Sequence, residues 1–193
     1  PTITPDEITE EMLSAYQCIY IEGYLLVNEE LVRTTMQKAK KLGLKVALDL
    51  SNFNIVNAFK GMLEDIIPKY VDILFSNESE AEAFTGQKAA EAVHTLSELV
   101  EVSLVTLGKE GALIGSHGQF YSVPAEGGKP VDTTGAGDNF AAGFLYGQSI
   151  GASLVQSARI GSMLAGYVID VVGPEIPYDK WEQIKLKVKG ILA

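Results

Sequence analysis

Cys18-Ile-Tyr-Ile-Glu22, then Asn28 running into Glu29 to Lys41, then Leu44-Lys-Val-Ala-Leu-Asp-Leu50 form one stretch of chain, and their order decides the fold. The first piece is short and β-prone. The second places apolar residues at Leu31, Val32, Met36 and Ala39, a helical spacing after an N-cap asparagine, and Gly43 stops it. The third is an apolar strand. Strand, helix, strand is the unit of a parallel sheet, and the pattern recurs outward from it. Val56 to Ile67 predicts a helix ending before Pro68, Val71-Asp-Ile-Leu-Phe75 a third strand, Glu78 to Thr85 and Ala89 to Leu99 two helices, and Val102 to Leu107 a fourth strand. Ala112 to Gly115 and Gln119 to Val123 read as a hairpin. Helical patterns over Asp138 to Ser149, Ser153 to Val171 and Tyr178 to Ile191 close the chain. Strands this uniformly apolar are covered on both faces, so the expected class is α/β, three layers around a mainly parallel sheet with an antiparallel hairpin late in it. Ligands of such sheets bind beyond the carboxyl ends of the strands, which singles out Glu22, Asp49, Asn77 and Gly108.

Composition narrows the function classes. The chain has 193 residues, 47% of them hydrophobic, with 15 basic against 25 acidic side chains for a net charge of −10. Mean hydropathy is +0.14 and the sequence pI 4.7. That is enough apolar material for one domain or most of one, with no linker, repeat or low-complexity tract to divide it, so a single domain over 1–193 is expected. The acidic balance argues against binding nucleic acid or an anionic membrane, both of which need a basic face. The longest apolar run, Ile160 to Val172, is broken by Asp170 and falls short of the ~20 residues of a membrane span. A lone cysteine, Cys18, forms no internal disulfide, and no Cys/His cluster has metal-ligand spacing, which points to a cytoplasmic location. The opening Pro1-Thr-Ile-Thr-Pro-Asp-Glu7 is acidic where a secretory signal is basic, and it lacks an initiator methionine, as a processed chain or a piece of a longer one would. His94 and His117 have no catalytic partner pattern and read as surface residues. Cys18, Phe144, Tyr178 and Trp181 read as packing.

The sharpest chemical signal is Asp132-Thr-Thr-Gly-Ala-Gly-Asp138, which runs directly into the amphipathic Asn139-Phe-Ala-Ala-Gly-Phe-Leu-Tyr146. Small side chains at Gly135, Ala136 and Gly137 let successive backbone N–H groups face one space at a helix start, where the helix dipole adds positive potential. That describes an anion hole. Asp138 beside it is unexpected in a loop that only holds phosphate, and fits a loop that moves a phosphoryl group and needs a base for the attacking hydroxyl. A glycine-rich turn with a helix-stabilising acid is the simpler alternative, and the complete seven-residue string favours function over it. Competing phosphate motifs fail. Gly135-Ala-Gly-Asp-Asn-Phe140 lacks the third glycine of a dinucleotide fingerprint, and Gly128-Lys129 is followed by Pro130 rather than Ser or Thr.

These residues, with Ala142-Gly143, resemble the C-terminal signature of the ribokinase-like, or PfkB, carbohydrate kinases, a family that includes adenosine kinases. Asn77-Glu-Ser-Glu80 is similar to the family's Asn-x-x-Glu motif, so the resemblance implies that Asn77 and Glu80 organise the Mg²⁺ of a bound nucleotide, mostly through water. The same four residues also read as a capping box, and Asn77 could serve both ends. Val105-Thr-Leu-Gly-Lys-Glu-Gly-Ala112 resembles the family's nucleotide turn, which implies that Thr106, Leu107, Gly108, Lys109, Glu110 and Gly111 lie along ATP. By the same resemblance Ser162 falls near the adenine. Asp132 and Thr134, with carbonyls near Val168, Val171 and Gly173, match a monovalent-cation site for K⁺. Glu22 falls where some relatives contact the sugar, with Asp49 similarly placed. Lys109 and Lys129 are the cations that would concentrate positive charge near ATP.

The resemblance runs in order from about Glu22 to Gly173. The family's first strands, β lid, Gly-Gly hinge and main acidic sugar contacts have no counterpart here. What it implies is an ATP- and Mg²⁺-dependent kinase acting on the hydroxymethyl group of a small sugar or nucleoside, faintly nearer the adenosine-kinase side, with Gly135 to Asp138 as anion hole, Asp138 as base and a homodimer as a candidate assembly. Two alternatives remain: a non-catalytic nucleotide-binding or regulatory fragment, and a structural module associating through an exposed sheet edge.

Overall fold

The computed structural model describes residues 3–127 and 130–193, so Lys129 and the opening Pro1-Thr2 lie outside the described residues. Six strands form one sheet in chain order, β1 (Cys18–Glu22), β2 (Lys45–Asp49), β3 (Ile73–Asn77), β4 (Val102–Thr106), β5 (Ala112–Ser116) and β6 (Gln119–Val123). β1, β2 and β3 are parallel, with Glu22 opposite Asp49 and Asp49 opposite Phe75. The sheet is mixed and mainly parallel, flanked by helices, as the alternation of elements predicts. The chain divides into two compact units, Pro1–Val105 with Gly115–Phe120, and Thr106–Ile114 with Tyr121–Ala193.

The first unit is built by βα alternation. After the short α1 (Glu10–Leu13), α2 (Glu29–Lys41) starts where the Asn28 side chain accepts from the Leu31 amide at 3.2 Å, carries acids in its first turn and lysines in its last, and buries Leu31, Val32, Met36 and Ala39. Cap, charge order and apolar stripe act together. Val46, Ala47, Leu48 and Leu74 are fully buried, and Phe75 nearly so, which is why β2 and β3 read as continuous apolar runs. The expected single helix over Val56 to Ile67 is in fact two, α3 (Phe53–Ala58), capped by Asn52, and α4 (Lys60–Tyr70), which carries Pro68 inside its last turn. Phe59, at φ −114° and ψ 20°, breaks the run. Periodicity misses this break because Val56, Leu63, Ile66 and Ile67 continue one apolar spacing across it, and all four are buried. Pro68 is tolerated because its missing N–H interrupts the bonding ladder near the helix end. α5 (Glu78–Thr85) and α6 (Ala89–Ser97) follow β3. His117 and Gly118, both at positive φ, make the two-residue turn between β5 and β6, confirming the hairpin. At the amino ends of these strands the buried Asp72 is satisfied by Lys40 at 2.8 Å and by the Val46 amide at 2.8 Å.

In the second unit α7 (Ala136–Ser149) and α8 (Leu154–Ile169) press backbone to backbone. A Cβ on Gly143 would come 2.7 Å from the Gly161 Cα, and one on Gly147 would meet Ser157 at 2.5 Å. Phe140, Phe144, Ile160, Met163 and Val168 fill the buried faces. α8 begins with a capping box between Ser153 and Gln156, and α9 (Trp181–Leu192) packs Ile184 and Ile191 against Ile160, Met163 and Leu164. The expectation that Tyr178 and Trp181 pack in a core is corrected. Tyr178 lies in a 3-10 turn before α9 and is 92% exposed, and Trp181, the first residue of α9, is 38% exposed.

Candidate active site

The Gly135 turn is set by sterics. Gly135 sits at φ 77°, the left-handed region, and a Cβ there would meet Pro174 at 2.8 Å, so only glycine fits. The next residue opens α7, with no side chain capping it. The Ala136 amide donates to the Thr133 carbonyl at 3.2 Å, whereas among the described residues the amides of Gly137 and Asp138 have no backbone or side-chain acceptor. They face outward along the helix axis, as first-turn amides must. Apart from its chain neighbours and the backbone of its own helix, nothing lies within 4 Å of where a Cβ of Gly137 would be. Open space and two unclaimed amide donors, those of Gly137 and Asp138, therefore lie where the sequence expects an anion hole, while the Ala136 amide is taken by Thr133. The Asp138 side chain is exposed and has no hydrogen-bond or ion-pair partner among the described residues.

Asp132 locks the turn from behind. Its Oδ1 accepts from the Thr134 amide at 2.9 Å and hydroxyl at 2.7 Å, and its Oδ2 accepts from the Gly173 amide at 2.9 Å. Those donors, the Gly173 amide foremost, hold its carboxyl below the usual carboxylate range. The Val131 amide donates to the Ile169 carbonyl at 2.7 Å and the Val171 amide to that of Val168 at 3.3 Å, so the residues expected at a K⁺ site lie on two crossing segments tied together. Asn139 adds a third tie, its Nδ2 donating to the Gly135 carbonyl at 2.9 Å and the Pro174 carbonyl at 3.3 Å.

A cavity of about 420 Å³ opens beside Ala136 and Gly137. The turn after β4 contributes Thr106, Gly108, Lys109 and Gly111, and α8 contributes Ser162, Ala165, Gly166 and Ile169. Leu107 and Glu110, expected along ATP, form the turn itself instead, with the Leu107 amide donating to the Gly111 carbonyl at 2.7 Å and the Glu110 amide to the Leu107 carbonyl at 3.0 Å. Gly135 and Asp138 are not on the cavity wall. The size suits a nucleotide-sized ligand. Sequence reading missed the wall formed by residues 125–127, which lie against Gly166 so closely that a Cβ there would fall 1.8 Å from the Glu126 carbonyl oxygen.

In the first unit Asn77 caps α5 and Glu80 completes the box. The Glu80 carboxylate accepts from the Asn77 amide at 2.8 Å and Nδ2 at 2.6 Å, and the Asn77 Oδ1 accepts from the Glu80 amide at 3.0 Å. Glu80 is 4% exposed. Burial pushes its carboxyl up to about 7, the nearby Asp49 carboxylate adding to the rise and the Asn77 bonds opposing it. Asp49 accepts from the Tyr20 hydroxyl at 3.1 Å and the Ser51 amide at 2.6 Å. Glu22 is exposed at the end of β1, beside Asp49 in register. Oxygen donors only, with Glu80 already bonded through both oxygens, fit a cation that keeps its own waters, as Mg²⁺ does. No three His, Cys, Asp or Glu side chains cluster as a metal site among the described residues, and no helix among them is long and apolar enough to cross a membrane.

Residues 2–181 match the profile of the pfkB family carbohydrate kinases. The chain belongs to that family. It is 32% identical over 194 residues to an adenosine kinase of Saccharomyces cerevisiae, covering 92% of this chain and 57% of the relative. The crystal structure of adenosine kinase from Sinorhizobium meliloti superposes with a TM-score of 0.89 at 29% identity, over 96% of this chain and 58% of that one. A putative ribokinase II from E. coli, crystallised with ATP and Mg²⁺, shares the fold at a TM-score of 0.81 and 18% identity, over 95% of this chain and 63% of that one. The chain thus spans little more than half the length of these pfkB relatives.

Proposed function

We propose that this chain carries the nucleotide-binding and base-supplying part of a kinase that moves the γ-phosphoryl group of ATP to a hydroxymethyl group of a sugar or nucleoside. A nucleoside is the favoured acceptor, on the strength of the likeness to adenosine kinases. The observation that carries the reading is the start of α7, where unclaimed amides and open space over Gly137 border the 420 Å³ cavity, with an exposed, unpaired carboxylate at Asp138.

The chemistry follows from these groups. The Asp138 carboxylate takes the proton of the acceptor hydroxyl, whose oxygen forms the new bond to the γ-phosphorus as the bond to the β–γ bridging oxygen breaks and ADP leaves. The amides of Gly137 and Asp138, fixed by the Asp132 and Asn139 ties, donate to the transferring oxygens without needing to reorganise. Asn77 and Glu80 are the residues assigned to the waters of a nucleotide-bound Mg²⁺, which when bound neutralises phosphate charge. Asp132, Thr134, Val168, Val171 and Gly173 are assigned to a K⁺ site behind the turn. Replacing Asp138 with Asn tests the assignment, since it keeps shape and removes the base. MgATP binding is expected to persist while transfer to adenosine, ribose or fructose is lost. A non-catalytic nucleotide-binding fragment is the second reading, favoured by the 57% coverage of the yeast relative. It predicts MgATP binding with no transfer in the unmodified chain.

A further inference from the structure

A second cavity, of about 650 Å³, opens between α8 and α9. It meets the nucleotide cavity only at Glu126, Gly127 and Gly166, which line both. Its remaining walls differ in kind. Met163 and Tyr167 from α8, with Val171 and Pro177 beyond it, give an apolar side, and Lys180, Gln183 and Lys187 give a polar one. These three stand at i, i+3 and i+7 along the 3-10 turn and α9, so one helical face presents two ammonium groups with an amide between them. In a chain of net charge −10 both lysines have little to pair with. Lys187 has no ion pair among the described residues, and its Nζ stands 5.0 Å from the centroid of the Tyr167 ring. Lys180 has only its sequence neighbour Asp179 among them, at 3.7 Å and exposed to solvent. Two carboxylates face the same space. Glu126 lies 3.9 Å from the Arg159 guanidinium, whereas Asp170 has no hydrogen-bond or ion-pair partner among the described residues. One further polar atom is unmatched, since the Tyr167 hydroxyl is buried with no hydrogen-bond partner among them. Leaving a buried hydroxyl unpaired is costly, and such an atom marks where a water or a ligand completes the bonding.

We propose that this second cavity binds a nucleoside monophosphate. Two ammonium groups match the charge of a phosphate monoester, close to −2 at neutral pH, better than they match the single charge of a carboxylate. Lysine is also a point-charge binder of phosphate. The ionised Asp170 side chain only accepts hydrogen bonds, so it suits ribose hydroxyls and repels a second anionic group, which sets the site against a triphosphate. The apolar side is then left for the base, and the volume is that of a small-molecule site rather than an ion site. None of this needs the kinase reading. Joined to that reading, the ligand is the class of compound that a nucleoside kinase releases.

Titration calorimetry of the chain with adenosine monophosphate (AMP) in saturating MgATP tests the proposal, because MgATP then occupies the nucleotide cavity. The expected result is one AMP bound per chain, with its affinity lowered at least tenfold by the paired substitutions Lys180→Ala and Lys187→Ala and that of MgATP changed less than twofold. Both lysines are exposed, and a thermal melt matching the wild type shows that the variant folds. Ribose 5-phosphate and inorganic phosphate, titrated into the unmodified chain, are expected to bind at least tenfold more weakly than AMP. Absence of AMP binding in MgATP, or AMP binding that the two substitutions leave unchanged, overturns the site. Ribose 5-phosphate or phosphate binding as tightly as AMP overturns the ligand class, since the lysines then hold an anion without a base. Those two titrations need no variant. If MgATP itself fails to bind, the kinase reading falls, whereas AMP binding that depends on the lysines still supports the second site.

Discussion

Two glycines two residues apart do opposite work at the start of α7. Gly135 has a positive φ and Pro174 against it, so Gly135→Ala combines backbone strain with a clash and should lower stability by about 2 kcal/mol or more in a denaturant melt. Gly137 has neither problem. Alanine there suits the first helical turn, so Gly137→Ala should match or slightly exceed the wild type in stability. Its methyl, however, fills the space proposed for phosphate, so MgATP affinity should fall at least tenfold. Glu80 makes a different prediction. Its folded-state carboxyl, near 7 against an ordinary 4.5, holds its proton more tightly than in the unfolded chain. The stabilisation this gives is fully present below about pH 4.5 and is lost as pH rises through 7. Glu80→Gln does not titrate, and its amide NH2, a donor, replaces one of the two oxygens that accept from Asn77, a penalty constant with pH. Between pH 5 and pH 8 the stability difference should therefore move in the variant's favour by about 1–3 kcal/mol. A flat difference across that range would mean that Glu80 is ionised throughout.

At the scale of elements, α7 and α8 behave as one block because Gly143 faces Gly161 and Gly147 faces Ser157. The start of α7 is only as well placed as this packing makes it. Gly143→Ala requires the helices to move apart, and should cost about 1–3 kcal/mol with a parallel loss of MgATP affinity, measured by thermal melting and calorimetry on the same preparation. The strands and most helices were legible in the sequence because their signals are local: apolar runs for β2 and β3, the Asn28 cap and four-residue stripe for α2. The break at Phe59 was not legible, since burial requirements keep the apolar spacing continuous through it. The seven-residue string from Asp132 to Asp138 was legible for the same local reason, whereas its locks were not. The Gly173 amide on Asp132, Pro174 against Gly135, and Ser162 on residues 124–126 are contacts over more than 30 residues of chain, and nothing in the spacing of serines or glycines announces them. At Asn77 and Glu80 the sequence offered a cap and a magnesium motif. The structure contains the cap, in a form whose buried carboxylate still suits the second role.

For the molecule as a whole, a net charge of −10 repels a nucleotide at long range, so affinity for ATP must come from local donors. Among the described residues, the first amides of α7 and Lys109 on the cavity wall are donors placed to supply it. The chain belongs to the pfkB family and spans 57% of the yeast relative, so phosphoryl transfer by this chain itself is the property to measure. Asp138 is proposed as the base of a phosphoryl transfer. Its most direct test is the rate of γ-phosphoryl transfer from ATP to adenosine by the wild type and by Asp138→Asn, with MgATP affinity measured alongside. The wild type is expected to transfer phosphate and the variant to lose about a thousandfold in rate, with MgATP binding changed less than threefold. A variant that transfers phosphate at the wild-type rate would contradict it, as would a wild type that binds MgATP yet phosphorylates no sugar or nucleoside.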